Sequence, residues 1–317
     1  MPSPSRTRAW PAALAAALVL VTSACGGGPD GAGGSTPPDG SAAIPDNAAL
    51  ITAIKADPRL TAALPPAVAQ ARTLHLASNL QSAPNNFYSG DGKTPIGYEV
   101  DLAKAVGAKL GVTVAYQDMA FGSLITSLQS GRVDLTMAAM NDAKERQQQV
   151  DFVDYFSSGI TIMVGRGNPE SVTGPDALCG KNVAVVQGTS HQKFAAAQSA
   201  KCAQSGKPAI TVTATDSDTQ NQNQLRTRRV AAILNDLPSA VYISRTAGDG
   251  KFFEVVPGQP IEGGPYGIGF AKANPKLRDA VEQALQSLIA DGTYGKILRS
   301  WGVEQGAVKE AAVNGGS

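Results

Sequence analysis

Histidine and aromatic residues are scarce in this chain, with two His and 5% Phe, Trp and Tyr in 317 residues. Two histidines cannot build a His-rich metal centre and leave little material for general base catalysis. An excess of either charge is also missing. Lys and Arg number 27 against 26 Asp and Glu, so bulk electrostatics calls for neither nucleic acid nor an anionic membrane surface. One apolar run stands out near the start, AWPAALAAALVLVTSA. It is too short and too Ala-rich for a membrane span, and behind Arg6 and Arg8 it has the plan of a secretory signal.

That run ends in Val21, Thr22, Ser23, Ala24 and Cys25, which resembles a bacterial lipobox. Small residues precede a cysteine that would be lipidated and become the mature N-terminus. An ordinary signal peptide with an incidental cysteine is the alternative, but Cys25 falls where cleavage should occur and a flexible stretch follows it. Residues 1–25 are therefore expected to be a signal, and residues 26–47, rich in Gly, Pro and Ser, a tether with too little apolar surface to fold. Two cysteines remain, Cys179 and Cys202. Export exposes them to oxidising conditions, in which such a pair tends to bridge. A metal site is not expected, because Cys179, Cys202 and His191 match no common zinc spacing.

Beyond the tether, residues 48–72 read as two short helices broken at the Asp57-Pro58 and Pro65-Pro66 steps. Strand and helix patterns then alternate, beginning with TLHLAS, where His75 suits a buried or edge position better than a catalytic one. The alternation predicts a parallel-type α/β sheet, with ligands in the crevice beyond the carboxyl ends of its strands. Gly/Pro stretches at residues 165–170 and 263–265 read as two crossings between two α/β lobes. The first lobe is expected from residues 73–165 and 258–305, the second from 166–257, with a tail at 306–317.

The chain is organised around residues 133–152, VDLTMAAMNDAKERQQQVDF. VDLTMAAM has the unbroken apolar character of a strand buried on both faces, and DAKERQQQV reads as a helix. Asn141 and Asp142 form an N-cap pair, with Glu145 in capping-box spacing from Asp142. A helix N-terminus there presents free N–H groups to an anion, and Arg146 could grip a carboxylate through two parallel hydrogen bonds. A solvated Arg146 paired with Asp142 or Glu145 is the competing reading.

Residues 97–156 carry G-Y-E-V-D-L-A-K-A, L-Q-S-G-R-V-D and E-R-Q-Q-Q-V-D-F, followed by an aromatic segment and a Ser-Gly step. This pattern resembles the family-3 extracellular solute-binding proteins that serve polar amino-acid ABC transporters. The resemblance covers about residues 74–303 and implies the bilobal periplasmic-binding-protein-like fold with a two-segment hinge. It also implies no cofactor, a small-molecule ligand, an ABC permease as partner, lipid anchoring to the outer face of the cytoplasmic membrane, and a monomer.

By the same resemblance, Arg146 would hold a ligand carboxylate with help from Thr189 and Ser190 in the GTS turn. Asp236 would accept the ammonium, with Ala139 and Asn141 close by, and Phe121 would form an aromatic wall. Asp236 could instead cap a helix, and Phe121 could be plain core. The chain departs from the family pattern at Ala143, Ala231 and Asn85, where a second hydroxyl, an acid and a stacking aromatic are usual. Phe87 or Tyr88 is expected to substitute for that aromatic. A secreted dehydratase-like enzyme and a ligand-sensing module are the rival functions, His191 being the one residue placed to serve as a base.

Overall fold

The computed structural model describes residues 44–317; the signal and lipobox residues, Cys25 included, lie outside them. Three short helices lead in where two were expected: α1 (Ala48–Thr52), α2 (Pro58–Ala63) and α3 (Pro66–Ala71). Pro58 and Pro66 each sit in a first turn, where a missing N–H costs nothing, so each begins a new helix. The expected tether reaches one residue too far. Asn47 is buried, and its Nδ2 donates to Asp101 Oδ2 and Ser300 Oγ, both at 2.8 Å.

The first lobe follows with β1 (Thr73–Ser78), a small sheet of β2 (Gln81–Ser82), β3 (Asn86–Tyr88) and β4 (Pro95–Ile96), then α4 (Tyr98–Leu110). Next come β5 (Thr113–Asp118), α5 (Leu124–Gln129), β6 (Leu135–Thr136), α6 (Lys144–Gln147) and the long β7 (Val150–Gly165). The second lobe holds β8 (Asn182–Val186), α7 (Ser190–Gln204), β9 (Thr211–Thr215), α8 (Asp218–Arg226), β10 (Ala232–Asp236), α9 (Leu237–Thr246) and β11 (Phe253–Val255). The chain returns through β12 (Ile261–Ala271) and ends its regular helices with α10 (Pro275–Ala290) and α11 (Thr293–Ser300).

The strands form one curled sheet in the order β5-β1-β6-β12-β7-β10-β8-β9, with β11 also on β7. Strands β5, β1 and β6 are parallel, as are β10, β8 and β9. Strands β7 and β12 run antiparallel between these two groups: β7 pairs with β12 from Val150 to Ile160 and with β10 from Ile160 to Val164. Each lobe buries its own apolar cluster, Leu76, Tyr98, Phe270 and Leu285 in one, Ile162, Val183, Phe194 and Leu234 in the other. Ile160, Ile162 and Val164 pack in the second cluster, so the outgoing crossing lies at residues 157–160 and not at residues 165–170. A Cβ on Gly159 would lie 2.8 Å from Pro260 Cβ and 2.9 Å from Ile261 O, so glycine there lets the two connecting strands touch.

Two other expectations change. The strand read over residues 133–140 shrinks to Leu135–Thr136. Met137, Ala138 and Met140 remain buried, but Ala139 turns to φ 48° and the chain leaves the ladder. The apolar run reported burial, which side chains achieve without an extended backbone. His75 is exposed on β1, which lies between β5 and β6 and is not an edge strand. Cys179 and Cys202 are disulfide-bonded with Cα atoms 5.6 Å apart, tying the turn before β8 to α7.

Candidate functional site

The carboxyl ends of the strands from both lobes face one cavity of about 40 Å³. Asn79, Ser82, Phe121, Ala138, Ala139 and Asn141 line it from the first lobe. Val186, Thr189, Ser190, His191, Asp218, Asn235 and Asp236 line it from the second. This is the crevice position expected for an open α/β sheet, doubled because two sheet halves face each other.

Arg146 borders this cavity through its neighbours. Its Nη1 donates to Asn141 O at 2.9 Å, its Nη2 to Gly188 O in the second lobe at 3.3 Å, and its Cζ lies 5.6 Å from the centre of the Phe121 ring. The residue is only 6% exposed. Burial pulls its pKa below the ordinary guanidinium range, while the charge of Asp236 pulls it back up. The competing solvated reading does not hold, since Arg146 pairs with neither Asp142 nor Glu145. The expected capping box is absent too. The helix begins later, as the single turn of α6 with Ala143 at its N-cap and no side-chain cap. Asp142 instead accepts from Gly316 N and Gln147 Nε2, both at 2.8 Å.

From the second lobe, the tight turn after β8 leads into α7, which Thr189 caps by accepting from Gln192 N. Ser190 Oγ donates to Asn141 Oδ1 at 2.8 Å across the cleft. Asp236 occupies the N-cap position of α9, but its side chain makes no capping bond. Its Oδ1 lies 3.2 Å from His191 Nε2, with both residues buried. Burial disfavours the His191 cation, but the carboxylates of Asp236 and Asp218 together raise the imidazole pKa above its ordinary value.

Beneath the floor, Glu99 is fully enclosed at the start of α4 and accepts from Ala139 N at 2.8 Å, Tyr155 Oη and Asn86 Nδ2. Burial pushes its carboxyl up to about 7. The left-handed backbone of Ala139 is thus anchored by a side chain from another element, which keeps a costly conformation in place.

The structure brings Arg146, Asp236, Asn141, Ala139, Thr189, Ser190 and Phe121 to one place. Asn85 and Phe87 lie elsewhere. Asn85 is buried under α4, where its O accepts from Glu99 N at 3.0 Å. Phe87 packs between Tyr242 and Trp301, with ring centres 6.0 and 6.2 Å away. Sequence reasoning missed Asn79, Ser82, Asn235 and above all Asp218. Asp218 is buried and accepts from Ser82 Oγ of the opposite lobe at 3.0 Å; burial raises its pKa, partly offset by Ser82 and His191. A signal for it existed: Ser217 caps a helix directly after β9, the same strand-to-helix step as the GTS turn.

Cross-lobe contacts are therefore made by Arg146, Ser190, Ser82 and Phe87, and by an exposed ion pair of Lys193 with Glu145. The lobes are closed on each other. Among the described residues no group of three or more His, Cys, Asp or Glu is arranged to hold a metal ion.

A family model described as bacterial extracellular solute-binding proteins, family 3, matches residues 74–304. The chain is 30% identical over 258 residues to the arginine-binding protein ArgT of Corynebacterium glutamicum, covering 81% of this chain and 83% of that protein. It is also 30% identical over 235 residues to a putative ABC transporter arginine-binding protein 2 of Escherichia coli K12, covering 73% and 91%. Among solved structures, an ancestral arginine-binding protein bound to glutamine superposes with a TM-score of 0.66 at 32% identity, covering 73% of this chain and 98% of that one. The ancestral amino-acid-binding protein AncCDT-1, a precursor of cyclohexadienyl dehydratase, gives 0.66 at 26% identity, covering 74% and 97%.

Proposed function

Because this chain belongs to the bacterial extracellular solute-binding proteins of family 3, we propose that it captures an amino acid between its lobes and delivers it to the permease of an ABC importer. The observation that carries this reading is the placement of one cation and one anion from opposite lobes about a single cavity, Asp236 in its wall and Arg146 against Asn141 and Phe121, which line it. An α-amino acid carries a carboxylate and an ammonium at fixed separation. Only the closed form offers a partner to each, so the ligand's differential affinity favours closure.

The cavity holds a second buried acid, Asp218, beside the Ser82 hydroxyl. With Arg146 matched to the α-carboxylate and Asp236 to the α-ammonium, Asp218 is left to take a further cationic or hydrogen-bond-donating group. Basic amino acids are therefore the favoured class, in keeping with the arginine-binding names of several relatives. Calorimetric titration with the twenty amino acids tests this. Binding of a basic member that weakens selectively in Asp218→Asn supports it, and failure of all twenty to bind refutes the reading.

The reading is of a binder without turnover, supported by the binding-protein names of the relatives and by Ser190 Oγ donating to Asn141 Oδ1 and not to His191. Mass spectrometry of bound amino acid after incubation checks this, a changed mass favouring the enzymatic alternative. Export, lipidation at Cys25, tethering to the outer face of the cytoplasmic membrane and a monomeric state complete the proposal. No helix among the described residues is long and apolar enough to cross a membrane, and metabolic labelling with a palmitate analogue, lost in Cys25→Ala, tests the anchor.

A further inference from the structure

Residues 312–316 lie along the side of β7 that faces away from β12. Asp154 N donates to Ala312 O at 2.8 Å, Asn314 N to Phe152 O at 3.1 Å, and Phe152 N to Asn314 Oδ1 at 2.8 Å, while Val153 and Val313 form an antiparallel bridge. They take the place of a neighbouring strand where β10, which pairs with β7 only from Ile160 onward, does not reach. None of these five residues belongs to a buried apolar cluster.

From that edge the segment reaches the loop that carries Arg146. Gly316 N donates to Asp142 Oδ2 at 2.8 Å. Gln147 Nε2 donates to Asn314 O at 3.3 Å, to Gly316 O at 3.2 Å and to Asp142 Oδ1 at 2.8 Å. Asn314 Nδ2 donates to Asp151 Oδ1 at 3.1 Å, and Asp151 is itself held by Lys272 and Arg278. Gly316 is buried, and a Cβ there would lie 1.6 Å from Asp142 O, so any side chain would push the loop away.

Asp142 and Gln147 bracket Arg146 in sequence. The four residues of α6 form a single turn, too short to be stable alone, because the helix nucleus costs more than one hydrogen bond returns. The loop must take its geometry from outside contacts, and residues 312–316 supply those on one side while Pro265 O, accepting from Asp142 N at 2.9 Å, supplies another. We infer that residues 312–316 act as a positioning strap: Asn314 and Gly316 fix Asp142 and Gln147, and so aim the Arg146 guanidinium at the cavity. This rests on the ligand reading of Arg146 given above.

The test is a double-mutant cycle in the full chain, read by calorimetric or NMR titration with whichever of the twenty amino acids binds the wild type most tightly. Gly316→Ala, Asn314→Ala and a chain ended after Ala311 are each expected to raise Kd about tenfold, as for residues sharing one hydrogen-bonded network. In an Arg146→Lys background, where the fork to be aimed is already gone, the same changes should alter Kd less than twofold. An unchanged Kd in the wild-type background overturns the strap, as does an equal loss in both backgrounds, which would mark a structural role independent of Arg146. If the shortened chain does not fold, the two point variants decide. A wild type that binds none of the twenty overturns the ligand reading and the strap with it, whereas normal wild-type binding with indifferent variants overturns the strap alone.

Discussion

Replacing Arg146 by alanine separates a ligand clamp from a structural cation. The guanidinium is nearly enclosed, with backbone carbonyls of Asn141 and Gly188 at 2.9 and 3.3 Å and the Phe121 ring at 5.6 Å. A carboxylate bound there would accept two charge-assisted hydrogen bonds, each contributing about 1.5–3 kcal/mol. Relief of a buried cation and water entering the vacated space offset part of this. A net loss of about 3–4 kcal/mol, or roughly 150- to 900-fold in Kd, is expected. The unliganded protein should behave differently. It loses only two bonds to carbonyls that water can reach once the lobes part, so the melting temperature should move by no more than about 3 °C. Because one of those bonds spans the cleft, the unliganded variant should also be more open, with a larger radius of gyration by small-angle scattering. Titration calorimetry and a thermal melt on the same sample decide the matter. A Kd within threefold of wild type, together with a fall in melting temperature above about 6 °C, would refute the clamp and leave Arg146 as a packing residue.

Glu99 gives a pH prediction. Its folded-state pKa of about 7 lies above the ordinary 4.5 because burial favours the neutral form, so its own contribution to native stability is greatest below pH 4.5, falls between pH 4.5 and 7, and is level above. The drop should reach at most about 3 kcal/mol, and Glu99→Gln should flatten it in urea melts across that range, Asn86 turning its free Oδ1 toward the new amide. His191 titrates above its usual value because Asp236 holds its cation, so a ligand ammonium arriving at Asp236 should lower that pKa and release protons from the fraction of His191 that is charged. Calorimetry in buffers of differing ionisation enthalpy should detect that release in wild type and not in His191→Gln. The bridge between Cys179 and Cys202 closes a separation of 23 residues, and the Cys179→Ser, Cys202→Ser double variant should lose about 3 kcal/mol by denaturant melts, with ligand Kd unchanged.

Much of the architecture was legible because it follows from local periodicity. The helices α4, α7 and α10 show their apolar faces in sequence, and β1, β8 and β10 appear as short apolar runs ended by turn residues. The readings that failed share one cause. Residues 137–140 are apolar because they are buried, and their backbone conformation is set by Glu99 and β12, which no local pattern reports. Asp142 looks like a cap because Asp followed by Glu at that spacing often is one. Its actual partner, Gly316, is 174 residues away. Phe87 satisfied the demand for an aromatic and was drawn instead into packing against Tyr242 and Trp301.

By itself the sequence determined that strand and helix segments alternate along the chain, since this depends on hydrophobic spacing and on turn residues close along it, while the resemblance to a family pointed to the two lobes and to Arg146 and Asp236. Tertiary structure alone decided which polar groups share the cavity. Asp218 meets Ser82 across 136 residues, His191 meets Asp236 across 45, and residues 312–316 brace the loop of Arg146. Hydrogen bonds and buried charges choose partners by distance in space, and that distance exists only after both lobes have packed.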